Sequence, residues 1–207
     1  MIGIIDYGMG NLYSVSKALE RMNYEYVLSD DPVVLRKTKG LILPGVGSFK
    51  DAMHILNETG LSTFIKEEVQ QGKPLLGICL GMQLLFEESD ENGLTKGFGF
   101  LPGRVERFPE GNYKVPHMGW NKLQFRNNSQ LLDRVEEGHV YFVHSYYVKT
   151  NDSDVVLADA SYEVDVPAVV GRNNIYGTQF HPEKSSDIGM AILHNYADIV
   201  EGKVIVR

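Results

Sequence analysis

Residues 74–86 read PLLGICLGMQLLF. A short apolar run leads into Gly77-Ile78-Cys79-Leu80-Gly81, and a helix-like pattern follows. A buried strand that turns at once into a helix is the repeating unit of a parallel sheet covered by helices. The five residues also have the G-x-nucleophile-x-G form. In such an elbow the central residue sits on a strained turn that pushes its side chain above the sheet, and the glycines leave room for it. The helix aims its positive end at the sulfur and favours the thiolate. The next N–H, that of Leu80, points to where an oxyanion would form. Cys79 is the only cysteine of the chain. Taken alone, the stretch favours the elbow but also describes a buried small hydrophobe, a common fate of free cysteine. A partner base is needed to decide.

Working outward, the same alternation recurs. IGIID at 2–6 reads as a buried parallel strand. NLYSVSKALERM follows, with Leu12, Val15, Leu19 and Met22 at helical spacing and Asn11 as its N-cap. YEYVLS and GLILPG read as strands, and DDPVVLRK opens a helix with Pro32 near its first position. A helical pattern spans about 49–71 with a break at Gly60, and LGMQLLFEES reads as the helix after the elbow. Beyond Gly93 the texture becomes rich in Gly and Pro. HMGWNKLQF, HVYFVHSYYV, DVVLADASY, PAVVGRNN and IYGTQF then read as mostly antiparallel strands. DIGMAILHNYADIV is a closing amphipathic helix. The expected fold is α/β, a mostly parallel sheet with helices on both faces and added antiparallel strands, in one domain over residues 1–207.

The chain has 207 residues, of which 43% are hydrophobic and 23% charged, with a formal charge of -7. An acidic balance disfavours a nucleic-acid backbone, which needs clustered Lys and Arg. No apolar run approaches a membrane span, and MIGIIDYG lacks a basic leader. A single cysteine forms no internal disulfide, which points to a reducing cytoplasm. No metal site at usual ligand spacings is visible, and no cofactor is called for.

Six histidines are candidates for the base. His139 and His144 are five apart and face opposite sides of a regular strand. His54 and His194 sit in helical patterns as surface or satisfied residues. His117 follows Pro116 and has no acidic residue two positions away. His181, in YGTQFHPEKS, lies just past a strand end, with Pro182 stiffening the turn and Glu183 two residues on. A carboxylate at that offset can orient the imidazole and stabilise its charged form. C-terminal ends of parallel strands share one edge, so His181 and Cys79 can meet there.

GICLGMQ together with GTQFHPEKS resembles the class I, triad-type glutamine amidotransferases. DYGMGNL, LPGVGSF, PHMGWN and YFVHSYY narrow the resemblance to the glutaminase subunits of imidazole glycerol phosphate synthases, in histidine biosynthesis. It runs from about residue 2 to the closing helix. The resemblance implies hydrolysis of L-glutamine to glutamate and ammonia. Cys79 is then the nucleophile that forms a thioester, His181 the base and acid, and Glu183 the residue that holds His181. Leu80 supplies one oxyanion N–H, and Val46 or Gly47 in the PGVG loop the second. Gln83, one turn after Cys79, holds the α-amino acid end of glutamine. Many relatives carry His-Gln where this chain has Met82-Gln83, so only the Gln is carried over. The backbone of Ser145 and Tyr146 adds contacts to the carboxylate. A cyclase subunit, a (β/α)₈ barrel in the family, is the implied heterodimer partner, with Asn11, Trp120, Tyr141 and Lys184 facing it.

Other readings stay open at this stage. The same triad serves anthranilate-type and aminodeoxychorismate-type amidotransferase subunits and stand-alone cysteine amidohydrolases, and a binding module can keep the fold. Gly8-Met9-Gly10 suggests a phosphate loop, but Tyr13 stands where the dinucleotide fingerprint has its third glycine. Trp120, the lone tryptophan, fits simple core packing equally well.

Overall fold

The computed structural model describes residues 1–203. In chain order the first half runs β1 (Ile2–Ile5), α1 (Leu12–Arg21), β2 (Tyr26–Ser29), α2 (Pro32–Arg36), β3 (Gly40–Gly45), α3 (Phe49–Glu58), α4 (Leu61–Gln70), β4 (Leu75–Cys79) and α5 (Leu80–Leu84). The second half runs β5 (Glu88–Ser89), β6 (Thr95–Lys96), β7 (Arg104–Arg107), β8 (His117–Lys122), β9 (Gln124–Phe125), β10 (His139–His144), β11 (Tyr146–Lys149), β12 (Val156–Tyr162), β13 (Val164–Arg172), β14 (Ile175–Thr178) and α6 (Ser186–Glu201).

The main sheet has the order β2-β1-β3-β4-β14-β13-β12-β9. Its first five strands are parallel, and the rest join antiparallel at one end. This is the expected mostly parallel sheet with antiparallel strands added. Strand residues alternate between two cores. Ile42, Leu76 and Ile78 face α1 and α6, which contribute Val15, Leu19, Ile192 and Tyr196. Leu41, Leu43 and Leu75 face α3 and α4, which contribute Phe49, Leu56, Phe64 and Ile65. Both faces are covered, so the central strands read as continuous apolar runs.

Three local features differ from the sequence expectation. Asn11 stands at the N-cap of α1, but its side chain makes no capping bond, whereas Asp31 caps α2 through Val33 N–H. The helix after the elbow stops at Leu84 rather than running through LGMQLLFEES. The carbonyls of Leu84, Leu85 and Phe86 accept from Phe98, Phe100 and Gly99 of the next loop, so they are unavailable to another helical turn. HVYFVHSYYV, finally, is divided at Ser145. Its first part, β10, pairs with β8 as a two-stranded ribbon, and its second, β11, joins β7, β5 and β6 in a small sheet.

Candidate active site

The site grows from the end of β4. Cys79 has φ 55° and ψ −111°, a conformation that L-residues rarely adopt, and α5 begins at the next residue. Close packing explains the flanking glycines. A Cβ on Gly81 would lie 1.8 Å from the Leu43 carbonyl oxygen, and one on Gly77 would lie 2.5 Å from the Gly81 carbonyl oxygen. Only glycine lets the elbow sit this tightly against β3.

The neighbouring strand delivers the imidazole. β14 runs parallel to β4 with Thr178 opposite Ile78, and three residues later comes His181. Its Nδ1 lies 2.8 Å from Glu183 Oε1, on the short turn Pro182–Lys184. The His181 N–H donates to the Tyr141 carbonyl, and Ser185 Oγ donates to the His181 carbonyl while accepting from Tyr141 N–H. The ring is thus clamped between β10 and the start of α6. Burial works against charging it, yet the hydrogen bonds and charges of Cys79 and Glu183 outweigh burial and raise its pKa to about 10. With Nδ1 held by Glu183, Nε2 is left for the thiol.

Around Cys79 lies a cavity of about 280 Å³. Val46, Gly47, Leu80, Gln83, Ser145, Tyr146 and His181 line it with Cys79, so the residues expected at the site converge on one space. Glu183 stands behind His181. The two expected oxyanion positions of the PGVG loop differ. Val46 N–H donates to the Met9 carbonyl at 3.0 Å, while no backbone carbonyl of the described residues accepts from Gly47, whose φ is 101°. In this arrangement Gly47, not Val46, has the unengaged N–H. Leu80 N–H belongs to the first turn of α5, where no intrahelical acceptor exists.

Gln83 Nε2 donates to the Tyr146 carbonyl at 2.9 Å and to Gln179 Oε1 at 3.0 Å. Both amide hydrogens are engaged, so its oxygen is the atom left to accept from a ligand. Gln179 Nε2 in turn lies 4.0 Å from Cys79 Sγ. Gln179 and Glu91 escaped the sequence reading, which considers His144 only as a candidate base and sets it aside. Gln179 sits two residues before His181, inside the motif already singled out. Glu91 lines the cavity from a segment without a local motif, and His144 from YFVHSYY, where nothing singles out that residue as part of the site. Glu91 Oε2 accepts from Phe49 N–H at 2.8 Å, and burial raises its pKa against that bond.

The residues expected at a partner surface lie on the same side as Cys79. Trp120 is 52% exposed rather than packed in the core, with its ring 6.0 Å from that of Tyr141. Val46 and Met118 are also exposed, as is Lys184, while Asn11 and Tyr141 are half-buried.

The family model for class-I glutamine amidotransferases matches residues 3–198. The chain belongs to that family. Among curated relatives, it is 73% identical to the imidazole glycerol phosphate synthase subunit HisH of Geobacillus sp. (strain WCH70), over 98% of this chain and 99% of that protein. It is 57% identical to the HisH subunit of Bacillus subtilis (strain 168), over 95% of each. Among solved structures, a glutamine amidotransferase superposes with a TM-score of 0.76 at 23% identity, over 97% of this chain and 98% of that one, a likeness of fold. For a family of glutamine amidotransferases, a cysteine elbow facing a His-Glu pair is chemically apt, because amide hydrolysis needs a nucleophile, a proton carrier and an oxyanion site.

Proposed function

We infer that this chain is the glutaminase subunit of an imidazole glycerol phosphate synthase, releasing ammonia from L-glutamine for a cyclase subunit in histidine biosynthesis. The observation that carries the chemistry is the strained Cys79 elbow beside the buried His181–Glu183 pair. Identity of 73% to a HisH subunit along nearly the whole chain supports the choice of synthase over anthranilate-type relatives. A single amidotransferase domain over residues 1–207 is consistent with a family match spanning 3–198. We place the reaction in the cytoplasm, in keeping with one unpaired cysteine.

In the proposed mechanism, His181 holds the proton taken from the Cys79 thiol, and the thiolate attacks the side-chain carbonyl carbon of glutamine. The carbonyl oxygen becomes an oxyanion facing Leu80 N–H and Gly47 N–H. His181 returns its proton to the departing nitrogen, which leaves as ammonia and gives the γ-glutamyl thioester. Neutral His181 then draws a proton from water as it attacks the thioester. Glutamate departs when the thiol is restored. Glu183 keeps Nδ1 protonated throughout and steadies the imidazolium. Gln83 Oε1 and the Glu91 carboxylate face the α-ammonium group, and the backbone at Ser145 and Tyr146 faces the carboxylate. Ammonia is mostly protonated near neutral pH, so release into bulk water would waste it. The partner therefore covers the face bearing Trp120, Tyr141, Lys184 and the Gly8–Asn11 loop.

The test is glutamate release from glutamine by the purified chain, alone and with a cyclase subunit and its nucleotide substrate. Low activity alone and a marked rise with the loaded partner are expected, because a partner ligand raises the rate only if its bound state favours the competent site. Cys79→Ser should lose glutamine-dependent turnover, while the complex still runs on added ammonia. Retained turnover in the serine variant would remove Cys79 from the mechanism.

A further inference from the structure

Two buried histidines lie outside the triad. His117 and His144 face each other across the β8–β10 ribbon. His144 Nδ1 is 2.8 Å from the Tyr146 carbonyl oxygen, and a carbonyl only accepts, so this nitrogen carries hydrogen. In the neutral ring Nε2 is then an acceptor. It lies 3.0 Å from His117 Nδ1, which must therefore carry hydrogen too. His117 Nε2 is left to accept from Asn121 Nδ2 at 3.1 Å, and Asn121 also donates to the Ser161 carbonyl at 3.0 Å. One carbonyl thus dictates the tautomer of both rings, and every hydrogen in the chain points from Asn121 toward Tyr146.

The surroundings hold this order in place. Tyr162 and Phe142 sandwich the His117 ring, with centroids 3.8 Å and 4.6 Å away and nearly parallel planes. Burial lowers the pKa of His117 to about 4 and that of His144 to about 3, the latter against its bond to the Tyr146 carbonyl and with help from His117 and His181. A proton on His144 Nε2 would set two hydrogens against each other. The Tyr146 carbonyl that ends the chain also accepts from Gln83 Nε2 at 2.9 Å. Its two lone pairs are therefore divided between His144 and Gln83, which fixes the Gln83 amide with Oε1 toward the cavity. Loss of the His144 bond would leave the Tyr146 carbonyl held by Gln83 alone and place the Gln83 amide less firmly.

We propose that His117 is a positioning residue for glutamine: held as the Nδ1–H tautomer, it locks His144 onto the Tyr146 carbonyl and thereby sets the polarity of the wall that receives the α-amino acid end of the substrate. The inference rests on the functional reading above, in which Gln83 and the Ser145–Tyr146 backbone bind that end. His117 does not line the cavity and touches no substrate. Its effect is on glutamine affinity, not on the thiol chemistry.

The test uses the complex with the cyclase. His117→Phe keeps a stacking ring and removes the donor. KM for glutamine should rise about tenfold, as for a buried hydrogen bond left unmade, while kcat at saturation stays within about threefold and ammonia-dependent turnover is unchanged. His117→Asn places an amide N–H close to the Nδ1 position and should restore KM to within about twofold of the parent. Equal KM increases in the Phe and Asn variants would assign the loss to packing and overturn the proposal, as would an unchanged KM in the Phe variant. Long-range ¹H–¹⁵N spectra of the parent protein give an independent reading that needs no variant to fold. Both rings should be neutral Nδ1–H tautomers at neutral pH, and an Nε2–H signal from either ring would overturn the relay. Cys79→Ser run in parallel separates the two levels. If that variant keeps glutamine turnover, the functional reading has failed, whereas a failed relay leaves the Cys79 result intact.

Discussion

The backbone at Cys79 invites a comparison of two inactive variants. With φ 55° and ψ −111°, the residue carries a Cβ in a region that a side chain makes unfavourable. Strain of this kind costs of the order of 1–3 kcal/mol. Cys79→Ala keeps the Cβ and therefore the strain. Cys79→Gly removes both, at the expense of the extra freedom glycine has when unfolded, roughly 0.5–1 kcal/mol. The difference leaves the glycine variant more stable than the alanine variant by about 1 kcal/mol. For a chain of this size that is a Tm higher by about 2–4 °C. Neither variant has a thiol, so catalysis does not confound the comparison. Calorimetry and urea unfolding of the isolated chain both measure it. At Ile78, one residue earlier in regular strand, the same Ala-to-Gly step should have the opposite sign. An alanine variant at position 79 as stable as the glycine variant, or more so, would show that the elbow stores no strain at Cys79.

Three further outcomes follow from distances already described. His181 has a raised folded-state pKa, so its contribution to stability is complete below its unfolded value of about 6.5 and fades as pH climbs through about 10. Glu183→Gln should flatten that decline in pH-dependent unfolding and slow glutaminase turnover. His181→Ala, which removes the proton carrier, should slow it further, by about 10²–10⁴-fold; equal and negligible effects would contradict the roles given to both. Gly81→Ala would drive a methyl against the Leu43 carbonyl, which cannot retreat because β3 is paired on both sides. A forced shift of about 1 Å in the elbow should cost about 100-fold in glutamine turnover along with a lower Tm, and a variant with parental kinetics would show the contact to be soft. Trp120→Ala should weaken cyclase binding about tenfold or more by titration calorimetry, with little change in the Tm of the isolated chain; unchanged affinity would move the docking face elsewhere.

The parallel half was legible because each of its decisions is local. IGIID, GLILPG and PLLGIC are buried on both faces, so their apolar runs announce themselves, and Asp31-Pro32 marks a helix start by its own chemistry. The proximity of Cys79, His181 and Glu183 was legible for the same reason, since each lies in a short motif at the end of a parallel strand. What escaped the sequence depends on distant partners. The early stop of α5 is set by N–H groups of Phe98 to Phe100 reaching back to its last carbonyls. The pairing of His117 with His144 gave no signal because the two are 27 positions apart and neither has a neighbouring carboxylate. Glu91 enters the cavity through a bond to the start of α3, 42 positions earlier. The choice between Val46 and Gly47 rests on which peptide faces Met9, and no side-chain pattern records the direction of a peptide plane.

The adjacency of β4 and β14 has a consequence for synthesis as well as for chemistry. Cys79 is polymerised with more than half of the chain still to be made, and His181 follows only with the turn after β14. Because β14 lies between β4 and β13, imidazole and thiol meet only when the central gap in the sheet is closed. A nascent or half-assembled chain therefore carries an ordinary, unactivated thiol, little inclined to react with passing electrophiles. In the proposed mechanism strand order works as a safety catch, and the nucleophile is armed by the same event that completes the sheet.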